Sequence, residues 1–316
     1  MSRRLTTALS ATVLASALVL SACGEEAATK PSPAVSGVTV TGTDPAKAPT
    51  VSVKAPLTVS KTGSQVVTDG TGATVAKDDL VTIQAVIVNG RDGKVVNSTW
   101  DTGSVGLDLT AAQLFTSFKS ELPGKKLGSR VVITSTAADA FGDTGNESIG
   151  IKKDDPVVFV VDLVSATKPL KEAEGKAVAP KKGLPTVTMN PGKPATITVP
   201  KGAKAPTKTI VQPLIEGTGP EVKKGQTVRV AYTGALLKDG SVFDASASHP
   251  EQPGFDFLVG QGQVIKGWDN GLQGQKVGSR VLLVIPPAEG YGTAGSPPKI
   301  SGKDTLVFVV DILAAY

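Results

Sequence analysis

The chain has 316 residues, enough for two domains of ordinary size, and at 40% hydrophobic and 19% charged it is globular material and not a disordered chain. Its 35 Gly and 22 Pro, with abundant Val and Thr, favour strands and turns over long helices. A net charge of +5, with no Lys/Arg-dense helix and no interleaved aromatics, excludes a nucleic-acid partner.

Arg3 and Arg4 open a targeting segment. The uncharged run Leu5 to Leu20 is shorter than the ~20 residues that span a bilayer. It meets "LSAC" at Leu20 to Cys23, so residues 1–23 read as a signal peptide with a cleavage point. The four residues resemble the bacterial lipobox. That resemblance implies a lipid on Cys23 and an extracytoplasmic chain anchored to the bacterial cell membrane; ordinary secretion is the alternative. Cys23 is the only cysteine, so no internal disulfide forms. Residues 24–48 are small, polar and proline-dotted, the composition of a flexible tether.

An internal repeat follows. "SKTGSQVVTDGTGATVAKDDLVTI" (60–83) matches "TKTIVQPLIEGTGPEVKKGQTVRV" (207–230), "KKLGSRVVIT" (125–134) matches "QKVGSRVLLV" (275–284), and "VVFVVDLV" (157–164) matches "LVFVVDIL" (306–313). Three matches in the same order at a nearly constant offset mean a duplicated domain, 49–167 and 185–316, joined by a charged linker at 168–184. Asp-Gly pairs at 92–93 and 239–240 mark hairpin turns. "TVRVAYTG" and "GFDFLVG" alternate, as half-buried strands do, and "SRVLLVIP" and "TLVFVVDIL" are apolar on both faces, as central strands are. A short helix is expected at Val264 to Leu272, with Ile265, Trp268 and Leu272 on one side. Each copy is thus expected to be α+β, a twisted antiparallel sheet wrapped over one short helix.

The second copy reads "YTG", "G-S-V-F-D", "VIKGW" and "GYG" in register over about 206–316. In this it resembles the FKBP-type peptidyl-prolyl cis-trans isomerase family. The resemblance implies that Trp268 is the floor of a substrate pocket, with glycines turning the chain tightly around it. It implies catalytic roles for Tyr232, Phe243, Asp244, Trp268 and Tyr291, and substrate binding by Phe255, Val264, Ile265, Ile300 and Phe308. The backbone N–H of Ile265 and the hydroxyl of Tyr291 would bind carbonyls flanking the proline, and Asp244 would face the twisting amide. Proline-containing peptides and unfolded exported proteins are the implied partners, with macrolides such as tacrolimus or rapamycin as pocket ligands. No cofactor or metal is implied, and His249, the one histidine, builds no metal site alone and is expected as an exposed loop residue. Some members carry an arginine between the residues matching Asp244 and Phe255; "ASASHPEQPG" has none. Lys299 stands where an apolar residue is frequent, which implies a different sequence preference beside the proline.

The first copy lacks the polar handles. At matching positions it has Ala85 for Tyr232, Val96 for Phe243, Asn97 for Asp244, Phe118 for Trp268 and Phe141 for Tyr291, while Phe159 matches Phe308. "LTAAQLFTSFKSEL" (109–122) places Leu114, Phe115, Phe118 and Leu122 at helical spacing behind Thr110, which predicts a longer core helix capped by that threonine. The first copy therefore reads as a degenerate domain serving as a spacer, with a weak apolar binder as the alternative, and the second as an isomerase. The competing reading of the whole is a non-catalytic surface chaperone or prolyl-peptide binding module.

Overall fold

The computed structural model describes residues 35–249 and 254–316. The signal segment, Cys23 and the first part of the tether lie outside the described residues, as do 250–253. In chain order the elements are β1 (Val38–Thr41), β2 (Thr50–Val53), β3 (Gly63–Thr68), β4 (Leu80–Asn89), β5 (Val95–Ser98), β6 (Val105–Asp108), α1 (Thr116–Glu121), β7 (Arg130–Ser135), β8 (Val157–Thr167) and β9 (Gly175–Ala177). They continue as β10 (Thr186–Asn190), β11 (Lys193–Thr198), β12 (Ile210–Gly217), β13 (Thr227–Leu236), β14 (Val242–Ala245), β15 (Phe255–Leu258), α2 (Lys266–Leu272), β16 (Arg280–Ile285) and β17 (Leu306–Ala315).

The duplication is visible in the sheets. The first is ordered β3-β7-β8-β4-β5 with β6 beside β4; the second is β14-β13-β17-β16-β12-β9 with β15 beside β13. Every pairing is antiparallel. The runs apolar on both faces, β8 and β17, are central and almost wholly buried along their apolar stretches. Equivalent ion pairs pin the central strands of both copies: Arg130 Nε to Asp162 Oδ1 at 2.6 Å, and Arg280 Nε to Asp311 Oδ1 at 2.7 Å. The expected Asp-Gly turns join β4 to β5 and β13 to β14, with Gly93 and Gly240 at positive φ.

Each sheet carries its short helix on one face and a two-stranded hairpin on the other. The β1–β2 hairpin lays Val38, Val40, Val51 and Val53 over Val86, Val88, Val132 and Val158. The β10–β11 hairpin lays Val187 and Ile197 over Ala235, Leu282, Val284 and Val307. Residues 35–48 are therefore no tether: Val35 is buried and β1 is paired, because alternate valines there have an apolar sheet face to cover. The 168–184 linker also departs from the expectation. It supplies β9 as an edge strand on β12, and Leu170, Ala173 and Glu174 donate backbone N–H bonds to Leu313, Asp311 and Gly278. A Cβ on Gly175 would lie 2.1 Å from the Glu216 carbonyl oxygen, so only glycine lets this strand approach.

The predicted long helix of the first copy is also corrected: α1 covers only Thr116–Glu121. Thr110 caps nothing; its N–H and hydroxyl both donate to Asp108, at 2.7 and 2.6 Å. That local turn competes with helix, and Phe115, at φ −50° and ψ 130°, is extended.

Candidate active site

The site forms where β13, β14, β15, α2 and the 286–295 loop meet. β13 and β17 pair Gly234 with Phe308, and Gly234 has no side chain for a reason: a Cβ there would lie 2.6 Å from the Phe243 ring and 2.7 Å from that of Phe308. The two rings close over it at 5.5 Å, nearly perpendicular. Helix α2 then places Trp268 beneath them, edge to face with Phe308 at 5.1 Å and with Tyr232 at 5.2 Å.

The glycines flanking Trp268 act differently from the expectation. Neither Gly267 nor Gly271 has positive φ; both lie inside α2. A Cβ on Gly267 would stand 2.6 Å from the Ile285 side chain, and one on Gly271 would stand 2.8 Å from Leu283. The glycines let the helix press onto β16, and this close approach, not a tight turn, fixes the depth of the indole. The turning glycines are Gly260 and Gly262, at φ +73° and +72°. Their N–H groups donate to the two carboxylate oxygens of buried Asp269, each at 2.8 Å. Asp269 thus ties the rim loop to the helix, a role that its place beside Trp268 in the sequence did not disclose.

The result is a cavity of about 470 Å³ lined by Tyr232, Phe243, Asp244, Phe255, Gly262, Gln263, Val264, Ile265, Trp268, Tyr291 and Phe308. Nine of the ten pocket residues expected from the sequence lie together in this wall. The exception is Ile300, which is 5% exposed, sits in the hydrophobic core of the domain and does not line the cavity. Gly262 and Gln263 line it without having been expected. Lys299 does not stand free beside the pocket; its ammonium donates to the Phe243 carbonyl at 2.7 Å. Trp268, Phe243 and Phe308 are buried, whereas Phe255 and Tyr291 are exposed at the mouth.

The polar groups are few and lie together. The Tyr232 hydroxyl donates to Asp244 Oδ2 at 2.7 Å, and His249 Nε2 lies 3.4 Å from Oδ1 of the same carboxylate. Burial, then the bond to Asp244, holds the Tyr232 phenol well above the ordinary tyrosine range. Burial and the Asp244 charge raise that of Tyr291. Both hydroxyls therefore stay protonated near neutrality and remain donors. The indole N–H of Trp268 is buried without an acceptor among the described residues. Ile265 is the N-cap of α2, so its own N–H falls outside the helical ladder. Among the described residues no group of three His, Cys, Asp or Glu side chains is arranged to hold a metal ion. The arrangement can enclose a small apolar group, position a polar chain at its edge, and exclude water.

The first copy shows the same frame filled by its own side chains. Ile87 pairs with Phe159 where Gly234 pairs with Phe308, and both Ile87 and Val96 pack against the domain core. Phe115 sits at the position of Ile265, and its ring meets those of Phe118, Phe141 and Phe159 at 5.4, 4.8 and 5.4 Å.

A sequence pattern described as FKBP-type peptidyl-prolyl cis-trans isomerase matches the chain twice, over residues 72–164 and 219–313. An FK506-binding protein of Streptomyces anulatus is 42% identical over 114 residues, covering 36% of this chain and 90% of that protein. Peptidyl-prolyl cis-trans isomerase FKBP2 of Homo sapiens is 50% identical over 91 residues, 29% of this chain and 62% of that protein. The 46 kDa FK506-binding nuclear protein of Spodoptera frugiperda is 44% identical over 102 residues, 32% of this chain and 24% of that protein. The chain therefore spans less than two thirds of the human and insect relatives it matches.

Proposed function

This chain belongs to the FKBP-type peptidyl-prolyl cis-trans isomerase family, and on that premise we propose that its second domain rotates Xaa–Pro peptide bonds in the cavity over Trp268. The observation that carries the reading is the chemistry of the wall: six aromatic side chains, with the polar groups confined to one side and the rim. Amide rotation faces a barrier of about 18–20 kcal/mol because resonance keeps the bond planar. The planar amide is polar and the twisted one is less so. A dry aromatic cavity disfavours the first relative to the second, which lowers the barrier without covalent chemistry.

We assign the remaining roles by the family resemblance, and the placement of the residues supports them. Trp268 and Phe308 receive the proline ring. The Tyr291 hydroxyl, exposed at the mouth, and the Ile265 N–H hold the flanking carbonyls and fix the peptide while its bond turns. Asp244, held by Tyr232, faces the rotating amide. The same wall would accept macrolides such as tacrolimus or rapamycin. Cys23 with its preceding segment supports a chain anchored by lipid outside the bacterial cytoplasmic membrane, whose clients are unfolded exported proteins.

A cis-to-trans rate assay on a short Xaa–Pro peptide tests the reading. The full chain should accelerate the reaction, and Trp268→Ala should lower kcat/KM by about thirtyfold, the scale on which a buried tryptophan anchor counts. A folded wild-type chain with no rate above background on several peptides would leave a prolyl-peptide binder instead.

A further inference from the structure

Among the described residues the two domains meet at a partly buried polar cluster centred on Arg229, and that cluster ends on the strand that supplies Phe255 to the pocket wall. Arg229 of β13, 7% exposed, grips Asp256 of β15 with two bonds, Nε to Oδ1 at 2.7 Å and Nη2 to Oδ2 at 2.5 Å. The same Nη2 reaches across to Asp108 of β6 in the first domain, at 2.7 Å. The Tyr316 hydroxyl donates to Asp256 Oδ2 at 3.0 Å. Tyr316 packs with Leu80 and Ala314 in a small apolar core formed by both domains. Gly106 lies against the Tyr316 ring so closely that a Cβ would come within 2.7 Å of it.

β15 needs such support. It pairs with β13 alone and lies off the main path of the sheet. It carries Phe255 into the cavity wall and Phe257 against Trp268 at 5.7 Å, while Asp256 faces the opposite way between them. The Arg229 stem covers the entry to the strand, 2.8 Å from where a Cβ on Gly254 would stand. Asp108 is fixed in turn by Thr110. Burial works against its charge, yet the bonds from Thr110 and Arg229 hold its carboxyl below the usual aspartate range.

We infer that Asp108 of the first domain is a positioning residue for the site in the second, acting through Arg229 and Asp256 to set the strand that carries Phe255. The degenerate copy is then a brace for its neighbour's pocket and not a spacer. The inference deepens the proposed function and rests on it only for the kinetic part of its test.

The test uses the full chain with Asp108→Ala, Asp108→Glu and, as an independent wedge, Gly106→Val, which pushes Tyr316 off the interface. Amide exchange of residues 255–258 is followed by mass spectrometry alongside peptide kinetics. Asp108→Ala and Gly106→Val should speed exchange in that segment and raise KM about fivefold with kcat little changed, a size usual for coupling through a contact network. Asp108→Glu should restore most of both. Unchanged exchange at 255–258 in folded Asp108→Ala and Gly106→Val proteins overturns the brace. So does a KM equal to wild type, or a loss in kcat that Asp108→Glu does not rescue. If wild type shows no isomerase activity, the proposed function fails, while the exchange data still decide the brace.

Discussion

Tyr232 meets two demands at one atom: its ring closes the wall beside Trp268, and its hydroxyl must find a partner where little water reaches. Asp244 supplies that partner, and both groups gain a fixed orientation. Tyr232→Phe should therefore lower kcat/KM about fivefold, the worth of one modest hydrogen bond, while leaving the cavity's shape intact. Peptide affinity measured beside the rate separates this from loss of the pocket. The same environment sets an alkaline limit. Burial is the leading reason that Tyr232, Tyr291 and Tyr316 all hold their protons above the ordinary tyrosine value of about 10. Folding then resists an ionisation that the unfolded chain accepts, so this contribution is whole below about pH 10 and is lost as pH climbs toward the folded values. Urea midpoints should be flat from about pH 8 to 9.5 and fall beyond about 10. A Tyr232→Phe, Tyr316→Phe double variant should fall less steeply; parallel curves would contradict the assignment.

Helix α2 shows how an element is chosen by what it must touch. Seven residues with two glycines form a poor helix on propensity alone. It persists because Trp268 and Leu272 are buried and because the bare faces of Gly267 and Gly271 fit Ile285 and Leu283. Gly267→Ala should thus destabilise the domain by about 1–3 kcal/mol through overpacking, despite the better propensity of alanine. A rise in the denaturation midpoint would show instead that the contact yields. The spacing of Ile265, Trp268 and Leu272 made this helix legible, and the family motifs located nine of the wall residues. The purpose of the glycines was not legible, since it depends on β16, which follows in sequence but packs from the sheet. α1 misled for a related reason. Leu114, Phe115, Phe118 and Leu122 fit a helical period, but Asp108 captures Thr110 and the helix starts only after Phe115. The β1–β2 hairpin left a signal in the alternating valines at 38–40 and 51–53, masked by the surrounding proline and small polar residues.

At the scale of the whole molecule, duplication gave two copies of one frame that carry different side chains at matching positions. Offset matching of the sequence disclosed the frame and the lost polar groups. It gave no sign that Asp108 meets Arg229, because a contact between domains leaves no period along the chain. Nor did it show that Phe115 of the first copy packs among Phe118, Phe141 and Phe159. Losing Tyr232 and Phe243 equivalents would leave holes, and a hole in a core is destabilising in proportion to its volume. Ile87 and Phe115 pack against that core, and the Phe115 ring lies against those of Phe141 and Phe159. Ligand should therefore bind once per chain. Titration calorimetry with a proline-containing peptide, or with tacrolimus, should saturate at one equivalent on the full chain and show no residual site in Trp268→Ala. Phe115→Ala would reopen room in the first domain and should lower its stability by about 1–2 kcal/mol, since the ring is only partly buried, without creating isomerase activity, because neither Ala85 nor Asn97 restores the hydroxyl–carboxylate pair. A second equivalent bound by the wild-type chain would mean that Phe115 swings out of the frame it fills, and the first copy would then count as a site in its own right.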